Sequence, residues 1–251
     1  MRTVVVVAWV TVLAACGSQG EAGEQRAPTA SATPGATPVL APAGAVDTAP
    51  DLTACPSRAS LEEGLRERTE PIPVPPVLRD VMRSNMDNFA VSTLGGATVC
   101  VDASWIESVS DPALSTDKRF ASFDWGGYES FGHIIVDRSG RGEVANTGMP
   151  PVASPSGKLL AAADLSESGF GALNAFAMWQ VEPTGLLELA KQQDVPPAAD
   201  WRIERWAGED CINLSAVAWD SVSEGTGDAR EPYMARRGNR WTLEPGRCPG
   251  P

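Results

Sequence analysis

Val152-Ala153-Ser154-Pro155-Ser156-Gly157-Lys158-Leu159-Leu160-Ala161 places a Ser-Pro-Ser-Gly turn between two apolar runs. Proline presets the φ of a turn's second residue, glycine supplies a left-handed φ, and serine hydroxyls bond to the nearby backbone. The stretch therefore reads as strand, turn, strand. Downstream of it, Ala175, Ala177, Trp179 and Val181 alternate as on one face of a strand, and Pro183-Thr184-Gly185 turns into Leu186-Leu187-Glu188-Leu189. Trp201, Ile203 and Trp206 lead through Gly208 to Ile212, Leu214, Ala216 and Ala218, and residues 233–235 and 240–243 flank Gly238-Asn239. Upstream, 89–91 and 97–101 flank Leu94-Gly95-Gly96, and 131–136 and 143–145 flank a loop from Arg138 to Gly142. Short strands separated by turn signals predict a mainly β, antiparallel fold.

Residues 152–161 also resemble the strand–turn–strand of bacterial β-propeller blades, whose turn usually reads Ser-Pro-Asp-Gly-Lys; here Ser156 stands in the aspartate's place. The resemblance implies that the strands over 175–181 and 186–190 complete one blade and that 201–243 forms the next. At ~40 residues per blade, residues 89–251 hold at most about four, and a closed propeller needs at least four. The expectation is blade-like sheets in an open or partial propeller-like arrangement. One or two short helices should precede them. Ser60-Leu61-Glu62-Glu63 resembles a capping box, with Leu61 and Leu65 one turn apart. The run Pro71-Ile72-Pro73-Val74-Pro75-Pro76 must be an extended connector, and 77–86 is expected to be the second helix.

The amino terminus carries an address. Met1-Arg2-Thr3 is a short positive start, and 4–15 is apolar apart from Thr11. That run is about half of the ~20 residues a spanning helix needs, which suits an export signal. Leu13-Ala14-Ala15-Cys16 resembles the lipobox of bacterial lipoproteins. The resemblance implies cleavage before Cys16, a diacylglycerol on its thiol and an acyl chain on its nitrogen. Gly17, rather than aspartate, then points to the outer membrane of a Gram-negative cell, or to the outer face of the cell membrane in a Gram-positive one. Residues 17–50 are Ala-, Pro-, Thr- and Gly-rich with no aromatic, too poor in apolar surface to fold. They read as a tether of about 30 Å typical reach. The chain thus divides into a signal peptide (1–15), a lipidated cysteine with its tether (16–50), and one mainly β domain (51–251).

Without 1–15 the chain has 19 basic and 32 acidic side chains, a net charge of −13. Nucleic acid and anionic lipid both demand a basic footprint, so direct binding to either is disfavoured; the membrane is met through the lipid anchor only. With Cys16 assigned to lipid, Cys55, Cys100, Cys211 and Cys248 form an even set in an oxidising compartment. Three pairings are possible; Cys55–Cys100 and Cys211–Cys248 are favoured because each falls within one half of the domain. Zinc would require close cysteine pairs, and only one histidine accompanies them.

Catalytic and cofactor motifs are missing from the sequence: no G-x-S-x-G, H-E-x-x-H, P-loop, dinucleotide fingerprint or C-x-x-C. No cofactor or metal is expected. His133, the chain's one histidine, sits mid-strand and reads as structural. Adjacent Glu62 and Glu63 cannot face one point as a glycosidase pair, and the acidic loop 220–231 fits no calcium spacing. The candidate surface is the run from Phe123 to Ser130, in which Asp124, Trp125, Tyr128 and Glu129 beside paired glycines suit a binding loop. The expectation is a cell-envelope lipoprotein, non-enzymatic, binding an envelope protein or polymer. The alternatives are an envelope-polymer hydrolase with a site assembled from distant residues, or an inhibitor of a cationic enzyme such as lysozyme.

Overall fold

A computed structural model describes residues 48–56, 69–128, 130–164, 173, 175–191, 198–218, 221 and 229–250. Its strands form four antiparallel sheets in chain order. The first holds β1 (Met82–Ser84), β2 (Asn88–Ser92) and β3 (Thr98–Asp102). The second holds β4 (Ser108–Leu114), β5 (Phe120–Gly127), β6 (Ser130–Asp137) and β7 (Glu143–Asn146). β8 (Val152–Ala153), β9 (Leu159–Ala163), β10 (Phe176–Glu182) and β11 (Gly185–Lys191) make the third. β12 (Ala198–Trp206), β13 (Cys211–Ala218), β14 (Arg230–Arg237) and β15 (Trp241–Pro245) make the fourth. Each strand pairs with its sequence neighbour within a sheet, as in a propeller blade, and the sheet count agrees with the length arithmetic.

Inner strands of the second and third sheets carry apolar residues on both faces, because each of these sheets buries one face against the sheet before it and the other against the sheet after. Ala121, Phe123, Trp125, Ile134 and Val136 of the second sheet share a core with Phe89, Val91 and Val101 of the first. Phe89 meets Phe123 edge-on at 5.4 Å. In β9, Leu160 and Ala162 face the second sheet, whereas Leu159, Ala161 and Ala163 join Trp201, Ile212 and Leu214 of the fourth. Ala177, Trp179 and Val181 lie on one face of β10 as expected. Ala175 does not: it precedes the strand at φ +105° and joins the opposite core.

The Ser154–Gly157 turn forms as read. Gly157 donates to the Ser154 carbonyl at 2.9 Å and takes φ +70°. Ser156, at the aspartate's place, donates through Oγ to Glu209 Oε2 at 2.9 Å and through its backbone N–H to Glu209 Oε1 at 2.7 Å. An aspartate there would set a second carboxylate against Glu209, which accounts for the serine. Burial pushes the Glu209 carboxyl up, but the Ser156 hydrogen bonds, with help from Ser154 and the Lys158 charge, outweigh it and hold the group below its ordinary range.

Both expected disulfides are present, Cys55–Cys100 and Cys211–Cys248. They tie the segment before the first sheet to β3 and the carboxyl-terminal tail to β13. Loops of 45 and 37 residues correspond to about 4 kcal/mol each in the chain-entropy model. The helix expected over 77–86 is not formed. Pro76–Leu78 is a single 3-10 turn, and Met82 already pairs with Val91 in β1. Helical spacing of Leu78, Val81 and Met82 misleads here, because Asn85 turns the chain by accepting from the backbone of Asp87 and Asn88 and so sets up the β1–β2 hairpin. The capping box at 60–63 and most of the acidic loop 220–231 lie outside the described residues. So do 1–47, with the lipobox and Cys16.

Candidate functional site

β5 and β6 pair with Asp124 directly opposite His133 and Gly127 opposite Ser130. Successive side chains on a strand point to opposite faces. Trp125 therefore turns into the core shared with the first sheet, where it meets Trp105 edge-on at 4.4 Å and donates to Asn146 Oδ1 at 3.2 Å. Phe120, Ser122 and Asp124 turn the other way, toward the third sheet, together with His133 and Ile135 of β6. The expected binding loop is thus mostly strand, and its members separate. Asp124 faces a cleft, Trp125 is buried, and Tyr128 is 79% exposed at the hairpin end. Glu129 lies outside the described residues. The paired glycines serve packing: a Cβ on Gly126 would lie 2.8 Å from Ser108 Oγ, and one on Gly127 2.8 Å from the Trp105 carbonyl.

On the face toward the third sheet, apolar contact gives way to an opening of about 310 Å³. Ala113, Phe120, Ile135, Leu160, Pro150 and Pro151 form its apolar walls. Its polar groups are Asp111, Ser122, Asp124 and His133. His133 is buried, with 5% of its surface exposed. Its Nδ1 lies 2.6 Å from Asp124 Oδ1, and the Asp124 side chain keeps 34% of its surface exposed. With the imidazole neutral, this bond places the proton on Nδ1 and leaves Nε2 as an acceptor. Asp111 belongs to a bulge in β4, where the register with β5 slips between Ser110 and Ala113, and its φ is +44°. A bulge re-aims one side chain out of the alternation, and Asp111 is thereby brought to the cleft beside Asp124.

Sequence reading found Asp124 but not its partner, and it missed Asp111 and Ser122. A usable signal was present. Once Gly127 and Ser130 are taken as the closing pair of a hairpin, strand symmetry sets Asp124 against His133. Among the described residues no group of three His, Cys, Asp or Glu side chains could hold a metal ion. No helix among them is long and apolar enough to cross a membrane.

The fold and cleft together define a mainly β protein of blade-like sheets, in keeping with the propeller-like resemblance. No family model matches the chain, and no curated protein sequence matches it. Among solved structures it is similar to the crystal structure of TolB from Acinetobacter baumannii, at 13% identity and a TM-score of 0.29. The match covers 63% of this chain and 37% of that one. A superposition at that level carries no shared function, and the blade architecture rests on the sheets themselves.

Proposed function

We propose that the chain is an exported, lipid-anchored cell-envelope protein whose folded part is a non-enzymatic binding module, with its ligand seated in the cleft between the second and third sheets. One observation carries the binding reading. The face of the second sheet toward the third, closed elsewhere by Ile135, Leu160 and Ala162 and by the Arg119–Asp137 pair, ends in Ser122, Asp124 and His133 around an opening. Departures from local folding logic of this kind concentrate at functional sites.

The address has separate support. Two disulfides among the four downstream cysteines suit an oxidising compartment, and they leave Cys16 free for the lipid that its lipobox implies. Two or more acyl chains are needed for stable anchoring. The membrane would be the outer one in a Gram-negative cell, or the outer face of the single membrane in a Gram-positive one. The net charge of −12 over the whole chain favours an envelope protein or polymer over nucleic acid as partner. A hydrolase reading has one observation in its favour, the orientation of His133 by Asp124. Among the described residues no hydroxyl or thiol is hydrogen-bonded to Nε2, so binding is the reading the geometry supports best.

Two experiments test the halves separately. Labelled palmitate should enter the wild type and not Cys16→Ser; label in the variant would overturn the anchor. Ser122→Trp should fill the cleft and abolish partner capture from native envelopes at an unchanged Tm, and full capture by this variant would overturn the binding site.

A further inference from the structure

Two edge strands share a backbone irregularity, and only one of the two is tied down. β4 and β12 each begin a sheet, and each shifts register against its neighbour, β4 between Ser110 and Ala113 and β12 between Ala199 and Arg202. An aspartate sits in each shift at a left-handed φ, +44° at Asp111 and +50° at Asp200. Arg202 and Arg230 clamp the Asp200 carboxylate, and Arg230 also donates to the Asp200 carbonyl. Asp111 is exposed, and its carboxylate has no hydrogen bond or ion pair among the described residues. Pro112 follows it, in the one Asp-Pro bond of the chain. Sterics drive the residue before a proline toward a φ of about −120°, so the left-handed setting of Asp111 is a strained one. Neither Asp111 nor Pro112 has a partner position in β5.

We propose that the Asp111–Pro112 bond is a self-cleavage site, where the chain hydrolyses its own backbone with Asp111 as the nucleophile. A carboxylate oxygen of Asp111 attacks the carbonyl carbon of the same residue and closes a cyclic anhydride. The bond to the Pro112 nitrogen breaks with its electron pair going to nitrogen, which takes a proton from solvent and leaves as a secondary amine. Water then opens the anhydride and restores the carboxylate, so the net change is the addition of one water. Prolyl nitrogen is a more basic leaving group than other peptide nitrogens, and it has no N–H for a ladder to hold. At Asp200 the carboxylate is clamped and Trp201 follows, so the same irregularity is inert there. Cys55–Cys100 lies wholly before the bond and Cys211–Cys248 wholly after it. The two pieces therefore stay together by packing alone, with β2 and β3 against β5 and β6. The cut is independent of any ligand in the cleft.

The test holds the purified full chain at about pH 4, where carboxylic acids and carboxylates coexist, and follows its intact mass without reduction. Two products should accumulate, one beginning at Pro112, with masses that sum to the parent plus one water. Asp111→Gly accepts the left-handed φ and removes only the nucleophile, so it should fold and stay whole. Cleavage of that variant at the same bond would overturn Asp111 as the attacking group. The wild-type chain unfolded in urea at the same pH gives the rate of an unconstrained Asp-Pro bond. The folded chain should cleave about tenfold faster, the rate equivalent of the strain that a left-handed non-glycine residue stores. An equal or slower rate in the folded chain, or no cut in it at all, would overturn the site and leave only the ordinary acid lability of such bonds.

Discussion

β6 sets two ionisable residues on the same face, four positions apart, and the structure treats them in opposite ways. Asp137 is fully buried, and both its oxygens are taken by Arg119, at 3.0 and 2.7 Å. Arg119 in turn reaches across to the Glu182 carbonyl of the third sheet. His133, at the other end, is bonded through Nδ1 to one oxygen of Asp124, whose side chain is one-third exposed. Between them Ile135 packs on Leu160 and Ala162. The same interface is therefore sealed at one end by a buried ion pair and left open at the other beside a partly solvated one. Polar groups built for structure are saturated by the protein itself; those at a site leave capacity for something else.

Substitutions can break this contrast. Arg119→Met leaves the Asp137 carboxylate buried without its charge partner and should cost about 3–5 kcal/mol in denaturant unfolding. Gly132→Ala comes next. Its Cβ would lie 2.8 Å from the Trp125 ring, an overpacking worth about 1–3 kcal/mol, read as a lower Tm with Trp fluorescence altered. His133→Leu should cost about 1 kcal/mol or less, since water can take over a carboxylate as exposed as Asp124. A loss as large as that of Arg119→Met would erase the difference between the two ends. Glu209 offers a solvent-side reference. Its folded pKa is depressed, so its contribution is complete above the ordinary carboxylate value near 4.5 and is lost as pH falls through the lower folded one. Glu209→Gln should cost a few tenths of a kcal/mol at pH 7, and the gap from wild type should close as the pH falls through that lower value. A gap that persists in acid would assign the effect to packing instead.

The third and fourth sheets were legible because turn residues punctuate them: Ser154 to Gly157, Pro183 to Gly185, and Gly238-Asn239 all connect the strands expected. The second sheet was half hidden. Asp111-Pro112 interrupts the alternation of β4 with a bulge, and the Gly126-Gly127 pair looks like loop although close approach to Ser108 and to the Trp105 carbonyl demands it. β10 shows a subtler limit. It is buried on both faces at Phe176, Ala177, Met178 and Trp179, so period-two reading sees one face and cannot place the other. The site needed register as well as pattern. Asp124 and His133 are nine positions apart, and only the hairpin's closing pair makes them neighbours. Asp111 reaches the cleft through a backbone irregularity that no periodicity encodes.

Site-specific photo-crosslinking in intact cells tests the cleft most directly. A benzoylphenylalanine at Ala113 sits on the cleft wall, and one at Leu187, which is 49% exposed on β11, serves as control. A discrete crosslinked partner from position 113, absent from 187 and lost when Ser122→Trp is added, is the predicted result. Equal crosslinking from both positions, or crosslinking at 113 that survives Ser122→Trp, would contradict it.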